Sequence, residues 1–112
     1  MAHEKNKGLL NALYNCIAEC NHCVTACLDE GDIKMTARCI KLDVDCAEIC
    51  SLGVSFVSRA SEHANYILNV CAEICEACAE ECEKHSHMEH CKRCAEVCRF
   101  CADLCHSRVS AY

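Results

Sequence analysis

The chain has 112 residues, a formal net charge of -6, no proline and only three glycines. That length suits one domain, the acidic balance with scattered Lys and Arg excludes a basic nucleic-acid face, and the lack of breakers excludes a turn-rich sandwich or barrel. Sixteen cysteines dominate the composition, at a density that signals either a disulfide framework or a metal site.

Four helices are expected within a single domain spanning residues 1–112. The first covers about residues 4–29 and carries Cys16, Cys20, Cys23 and Cys27, at steps of 4, 3 and 4. A turn at Glu30-Gly31-Asp32 follows, with Asp32 as candidate N-cap. The second helix, about 32–58, carries Cys39, Cys46 and Cys50, with one step of 7 and one of 4. Ser58-Arg59-Ala60-Ser61 is the next break, with Ser61 as candidate N-cap. The third helix, about 62–84, carries Cys71, Cys75, Cys78 and Cys82, again at steps of 4, 3 and 4. A His-rich connection, His85-Ser86-His87-Met88, leads into the fourth helix, about 88–108, with Cys91, Cys94, Cys98, Cys101 and Cys105. Steps of three and four keep side chains on one helix face. Short connections make sequential helices antiparallel. The expected fold is therefore all-α: an antiparallel up-down-up-down four-helix bundle with a Cys-lined core.

A cysteine core needs a reason. Cys packs well as a small hydrophobe, but a core of little else leaves voids that cost stability. Neighbouring cysteines on one helix have Cβ atoms about 5–6 Å apart, whereas a disulfide needs about 3.5–4.5 Å, so bridges within a helix would distort it. Met1 to Tyr14 shows neither a long apolar run nor a small-residue cleavage site, and the expected location is cytoplasmic, where disulfides do not persist. No stretch reaches the ~20 apolar residues of a membrane span. Metal is the remaining reading, and thiolates select Cu(I), Zn(II) and iron–sulfur clusters. One Cu(I) per thiolate cancels the buried charge one for one, while Zn(II) on four thiolates leaves a double negative charge. Iron–sulfur ligation uses loop-wrapped cysteines, commonly near proline, and these cysteines lie at helical steps. A zinc or general soft-metal buffer is the second reading, and an iron–sulfur electron-transfer protein the third. No Ser/His/Asp set or phosphate loop calls for an enzyme.

The segments Glu19-Cys-Asn-His-Cys-Val-Thr-Ala-Cys27, Cys39-Ile-Lys-Leu-Asp-Val-Asp-Cys-Ala-Glu-Ile-Cys50, Cys71-Ala-Glu-Ile-Cys-Glu-Ala-Cys-Ala-Glu-Glu-Cys82 and His90-Cys-Lys-Arg-Cys-Ala-Glu-Val-Cys98 resemble the cytosolic bacterial copper storage proteins. The resemblance spans nearly the whole chain. It implies a four-helix bundle whose core thiols bind many Cu(I) ions, assembled as a homotetramer that stores or detoxifies copper and catalyses nothing. By position it carries all sixteen cysteines over as ligands. Some members have more cysteines, which would make the capacity here smaller. A copper chaperone or chelator is the expected donor; neither nucleic acid nor membrane is an expected partner.

The two ends of the bundle should differ. One collects Leu9, Leu13, Val54, Val57, Ala64, Ile67 and Val109, an aliphatic closure that lets the metal-free form fold. At the other, Met35 lies four before Cys39, His85 three after Cys82 and His87 four before Cys91, so these three are expected on the metal-facing stripe, with His90 beside Cys91 able to reach in. This His/Met-bearing mouth is where copper is expected to be admitted. In the gap between Cys39 and Cys46, Leu42 is expected inside and Asp43 at the flank. His3, His22, His63 and His106 are read as ordinary surface or interhelical residues.

Overall fold

A computed structural model describes residues 6–110. It contains four helices: α1 (Lys7–Leu28), α2 (Ile33–Ser58), α3 (Ala64–Glu83) and α4 (Glu89–Ser110). Each helix packs on its two sequence neighbours around a closed ring, with α4 completing the ring on α1. The result is an elongated four-helix bundle of 47 × 20 × 18 Å. Glu4, the expected first helical residue, lies outside the described residues.

The helix ends follow local chemistry. Asp32 caps α2, its Oδ1 accepting from the Met35 backbone N–H at 3.3 Å. The end of α2 closes in a Schellman motif: the Ser61 N–H reaches the Phe56 carbonyl at 2.9 Å, and the Ala60 N–H reaches that of Val57 at 3.0 Å. The motif places Ala60 at φ 53°, a left-handed conformation in which glycine would be at ease. Ser61 does not cap α3 as expected. That helix starts two residues later than expected, and Ser61 Oγ accepts from the His63 N–H at 3.1 Å within the connecting turn.

Steps of three and four run through every buried stripe. On α1 the stripe is Leu9, Leu13 and then the four cysteines. On α3 it is Ala64, Leu68 and then four more. Alanines flank the stripes, with Ala47, Ala72, Ala79, Ala95 and Ala102 buried beside the thiols, and their small side chains let the backbones approach. Charged pairs fasten the outside. Arg93 and Glu19 join α4 to α1 at 3.2 Å, Arg99 and Glu83 join α4 to α3 at 2.8 Å, and Arg38 and Glu81 join α2 to α3 at 2.7 Å.

At the aliphatic end Leu13, Val57 and Leu68 are fully buried, and Leu9, Leu10 and Ala64 nearly so. Val54 and Val109 pack against them half-exposed, and Ile67 is half-buried. Gly53 sits on the inner stripe of α2 facing Leu13 and Leu68. No described helix is long and apolar enough to cross a membrane.

Candidate metal centre

All sixteen cysteines are free and have no solvent exposure. Their sulfurs form a column of contacts across helices: Cys16 to Cys46 at 3.6 Å, Cys46 to Cys75 at 3.5 Å, Cys50 to Cys71 at 3.7 Å and Cys20 to Cys98 at 3.7 Å. Several quartets lie with all donor atoms within 4.8 Å of one another, and they overlap. Cys16 and Cys46 belong both to a set with Cys50 and Cys75 and to a set with Cys20 and Cys98. Cys20 and Cys98 recur in a third set with Cys78 and Cys94, while Cys50 and Cys75 recur in a fourth with Cys71 and Cys101. Shared members make this a continuous string of bridging positions, not a row of separate four-ligand sites.

Burial opposes ionisation of these thiols. Burial, with the nearby Cys39, pushes the Cys27 thiol up; the Cys105 thiol is raised by contacts with Cys101 and Cys71 and by burial. A soft cation that binds one of these sulfurs as thiolate displaces any proton it holds.

One carboxyl group sits in the middle of the sulfurs. Asp43 is fully buried, and its Oδ1 accepts from the thiols of Cys78 at 3.1 Å and Cys94 at 3.3 Å. Cys82 donates to the same oxygen and Cys39 to Oδ2, each at 3.8 Å. Burial, reinforced by the negative character of Cys94, Cys78 and Cys39 when ionised, pushes its pKa up to about 11. This reverses the expectation that Leu42 would lie inside and Asp43 at the flank; Leu42 is half-buried. The inward residues of α2 are Thr36, Cys39, Asp43, Cys46, Cys50, Gly53 and Val57, an unbroken alternation of three and four. Only Asp43 divides the step of seven between Cys39 and Cys46 in that order.

The same alternation corrects the mouth. Met35 is 46% exposed, and its neighbour Thr36, three before Cys39, is fully buried in the position expected for it. His85 is buried as expected, but its Nε2 meets Glu81 Oε2 at 3.2 Å. Glu81 is also held by Arg38 at 2.7 Å and Lys84 at 3.3 Å. Burial raises the Glu81 pKa, yet these three partners together lower it overall, so the group stays ionised. His87 is exposed, its ring 6.4 Å from that of His85. His90 is the imidazole that reaches the sulfurs, with Nε2 3.5 Å from Cys27 Sγ, in a set with Cys23, Cys27 and Cys91. Met88, which the sequence pattern did not single out, packs against the core; it lies three before Cys91.

A closed bundle with its interior given over to a shared column of sulfurs is a protein that holds soft metal ions in number. Residues 2–110 match the copper storage protein family, and the chain belongs to it. Among its relatives is the cysteine-rich protein YhjQ of Bacillus subtilis, 42% identical over 78% of this chain and 80% of that one. The Cu(I)-bound copper storage protein BsCsp3 superposes with a TM-score of 0.87 at 41% identity, over 91% of this chain and 95% of that one. A cytosolic copper storage protein from Streptomyces lividans, with five coppers, gives a TM-score of 0.92 at 32% identity, covering 97% and 95%.

Proposed function

We propose that this chain stores Cu(I) along the whole sulfur column, with all sixteen cysteines as ligands, His90 completing the outermost set and Asp43 offering an oxygen in the middle. The observation that carries this is the sharing of buried thiols between successive quartets. A thiolate that bridges two Cu(I) ions serves both, and linear or trigonal Cu(I) needs only two or three sulfurs. Uptake converts each S–H and one Cu(I) into a Cu–S bond and a released proton, so the core gains no net charge. The structural relatives support the cargo, since one of them is a Cu(I)-bound storage protein, and the S. lividans protein supports a cytosolic setting.

Copper is admitted at the end of the bundle that bears His85, His87, His90 and Met35. The donor is a copper chaperone or a small chelator. The working form is a homotetramer, for which the exposed side chains Val44 and Leu52 on α2 and Phe100 on α4 offer apolar surface. Light scattering of the eluted protein checks the assembly.

Anaerobic titration with Cu(I) against a competing chelator tests the storage reading. Tight uptake that approaches one ion per thiol, with one proton released per ion, is the expected result. Saturation at about one metal per four thiols, with Zn(II) bound as tightly, would instead fit tetrahedral buffering sites.

A further inference from the structure

We propose that Cys39 and Cys82 form a redox modification site: in the copper-poor chain hydrogen peroxide oxidises this pair, ahead of the other fourteen thiols, to a reversible disulfide between α2 and α3. The bond is a property of the metal-free chain; its effect on copper rests on the storage reading.

Distance, alignment and position single out the pair. Its sulfurs lie 3.3 Å apart, closer than Cys46 to Cys75 at 3.5 Å or Cys27 to Cys91 at 3.9 Å. A disulfide bond is about 2.05 Å long, so about 1.3 Å remains to be closed, against about 1.9 Å for Cys27 and Cys91. The residues immediately before the two cysteines, Arg38 and Glu81, are themselves paired at 2.7 Å, and this link pins α2 to α3 at the level of the thiols. Neighbouring thiols on one helix have no such option, since their Cβ atoms are about 5–6 Å apart. Both cysteines are fully buried, yet Cys82 is the last residue but one of α3, and Cys39 lies within the first two turns of α2. Helix termini open locally at far lower cost than helix centres, so a small oxidant gains access here, whereas Cys46 and Cys75 lie mid-helix. Cys27 and Cys91 share the position near helix ends but not the spacing.

The chemistry balances with the peroxide alone. The Cys82 thiol gives up its proton and its sulfur attacks the O–O bond, forming a sulfenic acid and releasing one water. The Cys39 sulfur then displaces the hydroxyl of that sulfenic acid, and its proton leaves with the hydroxyl as a second water. Two thiols are oxidised to one disulfide, and one peroxide is reduced to two waters. A thiol reductant reverses the bond by exchange, and transient, redox-sensing disulfides are the kind a reducing cytosol allows. Both sulfurs are Cu(I) ligands under the storage reading, and a sulfur held in a disulfide is no longer a thiolate donor. Copper and the bond therefore exclude each other: a filled column protects the pair, and an oxidised chain holds less copper.

The test treats the full, metal-free chain with one equivalent of hydrogen peroxide under anaerobic conditions, quenches with catalase, alkylates the remaining thiols and reads intact mass and peptide map. The first product should have lost two hydrogens, keep fourteen of its sixteen thiols and yield Cys39 and Cys82 in one cross-linked peptide pair. Dithiothreitol should restore all sixteen. Cys39→Ser and Cys82→Ser should each lose this product with helicity unchanged by circular dichroism, and the map of the wild-type chain stands without them. The oxidised chain should bind about two fewer Cu(I) ions, at one ion per thiol, and prior loading with Cu(I) should suppress the bond. A first disulfide elsewhere, at Cys27 and Cys91 for example, would overturn the site, as would sulfinic acids scattered over the column or sixteen intact thiols. A mapped Cys39–Cys82 bond with an undiminished copper number would overturn the exclusion between bond and copper. A reduced wild-type chain that takes up little copper would sink the storage reading and leave the mapped bond standing.

Discussion

The two halves of this bundle use the same helices and the same alternation of three and four, but fill the inside with different chemistry. At one end Leu13, Val57 and Leu68 are fully buried beside Leu9 and Leu10; burying each such Leu contributes about 1.5–3 kcal/mol. Along the rest, cysteines occupy the equivalent positions, each smaller than Leu and each available as a ligand. The aliphatic end gives the metal-free fold its largest buried side chains, and the thiol column gives it smaller ones that are also ligands.

The largest effect should therefore separate the two regions. Leu13→Ala or Leu68→Ala should lower the stability of the metal-free protein by about 2–5 kcal/mol, the range for a buried Leu truncated to Ala, with copper number unchanged once the protein is loaded. Cys46→Ala should cost about 1 kcal/mol but reduce the copper number. Denaturant unfolding of the reduced protein, paired with anaerobic titration, reads both. Equal stability losses at Leu13 and Cys46 would erase the distinction.

Asp43 gives the thiol region a pH dependence that the aliphatic end lacks. With a folded pKa near 11 and an unfolded value near 3.9, the carboxyl is protonated in the folded chain and ionised in the unfolded chain throughout the neutral range. The folded state then binds the extra proton, so this group's contribution falls as pH rises, by about 1.4 kcal/mol per pH unit. It is fully present only below about pH 4. Asp43→Asn cannot titrate and should remove that slope. Unfolding of the metal-free protein between pH 5 and 8 would show it; parallel slopes in wild type and variant would refute a buried neutral acid.

Two smaller effects concern the backbone at the aliphatic end. At Gly53, an added Cβ would sit 3.5 Å from Leu13 Cδ2 and 3.8 Å from Leu68 Cδ2, ordinary contact distances. Gly53→Ala should stabilise the protein by about 1 kcal/mol through helix propensity. Ala60 holds φ 53°, so Ala60→Gly should gain roughly 1 kcal/mol by relieving a left-handed alanine. Thermal melts that rise in both variants would confirm that glycine and alanine stand in each other's better places here.

The sequence made the bundle legible because cysteine marks the inner stripe on every helix; four stripes of one residue type define four faces and their register. The aliphatic end followed by extrapolating the stripes, which identified Leu9, Leu13, Val57 and Ala64, though not Leu10 or Leu68. Asp43 was legible in principle. The unbroken alternation on α2 requires it, but ordinary expectation places a Leu inside before an Asp, and the compensation by four thiol donors appears only when the helices are assembled. Met35 and Thr36 differ by one residue and about 100° of helix rotation, and no cysteine precedes Cys39 to fix the phase. The mouth was least legible: one side of it is the connection before α4, where the helical period does not apply, and Met88 lies in that connection.

The charged pairs outside the two regions should contribute unequally. Arg99 donates through Nε and one terminal nitrogen to the two carboxylate oxygens of Glu83, at 3.0 and 2.8 Å, but both side chains are nearly half exposed. Water and salt screen such a pair, and Arg99→Ala should cost only about 0.5 kcal/mol, a loss that shrinks further at about 1 M salt, where the screening length is near 3 Å. Arg38 meets Glu81, whose side chain is only 8% exposed. Arg38→Ala strips the shortest bond from a nearly buried carboxylate that then depends on Lys84 and His85, so it should cost about 1–3 kcal/mol and respond weakly to salt. Unfolding both variants at low and high salt separates the two cases. If Arg38→Ala were as mild and as salt-sensitive as Arg99→Ala, the burial of Glu81 would add nothing to its pairing with Arg38.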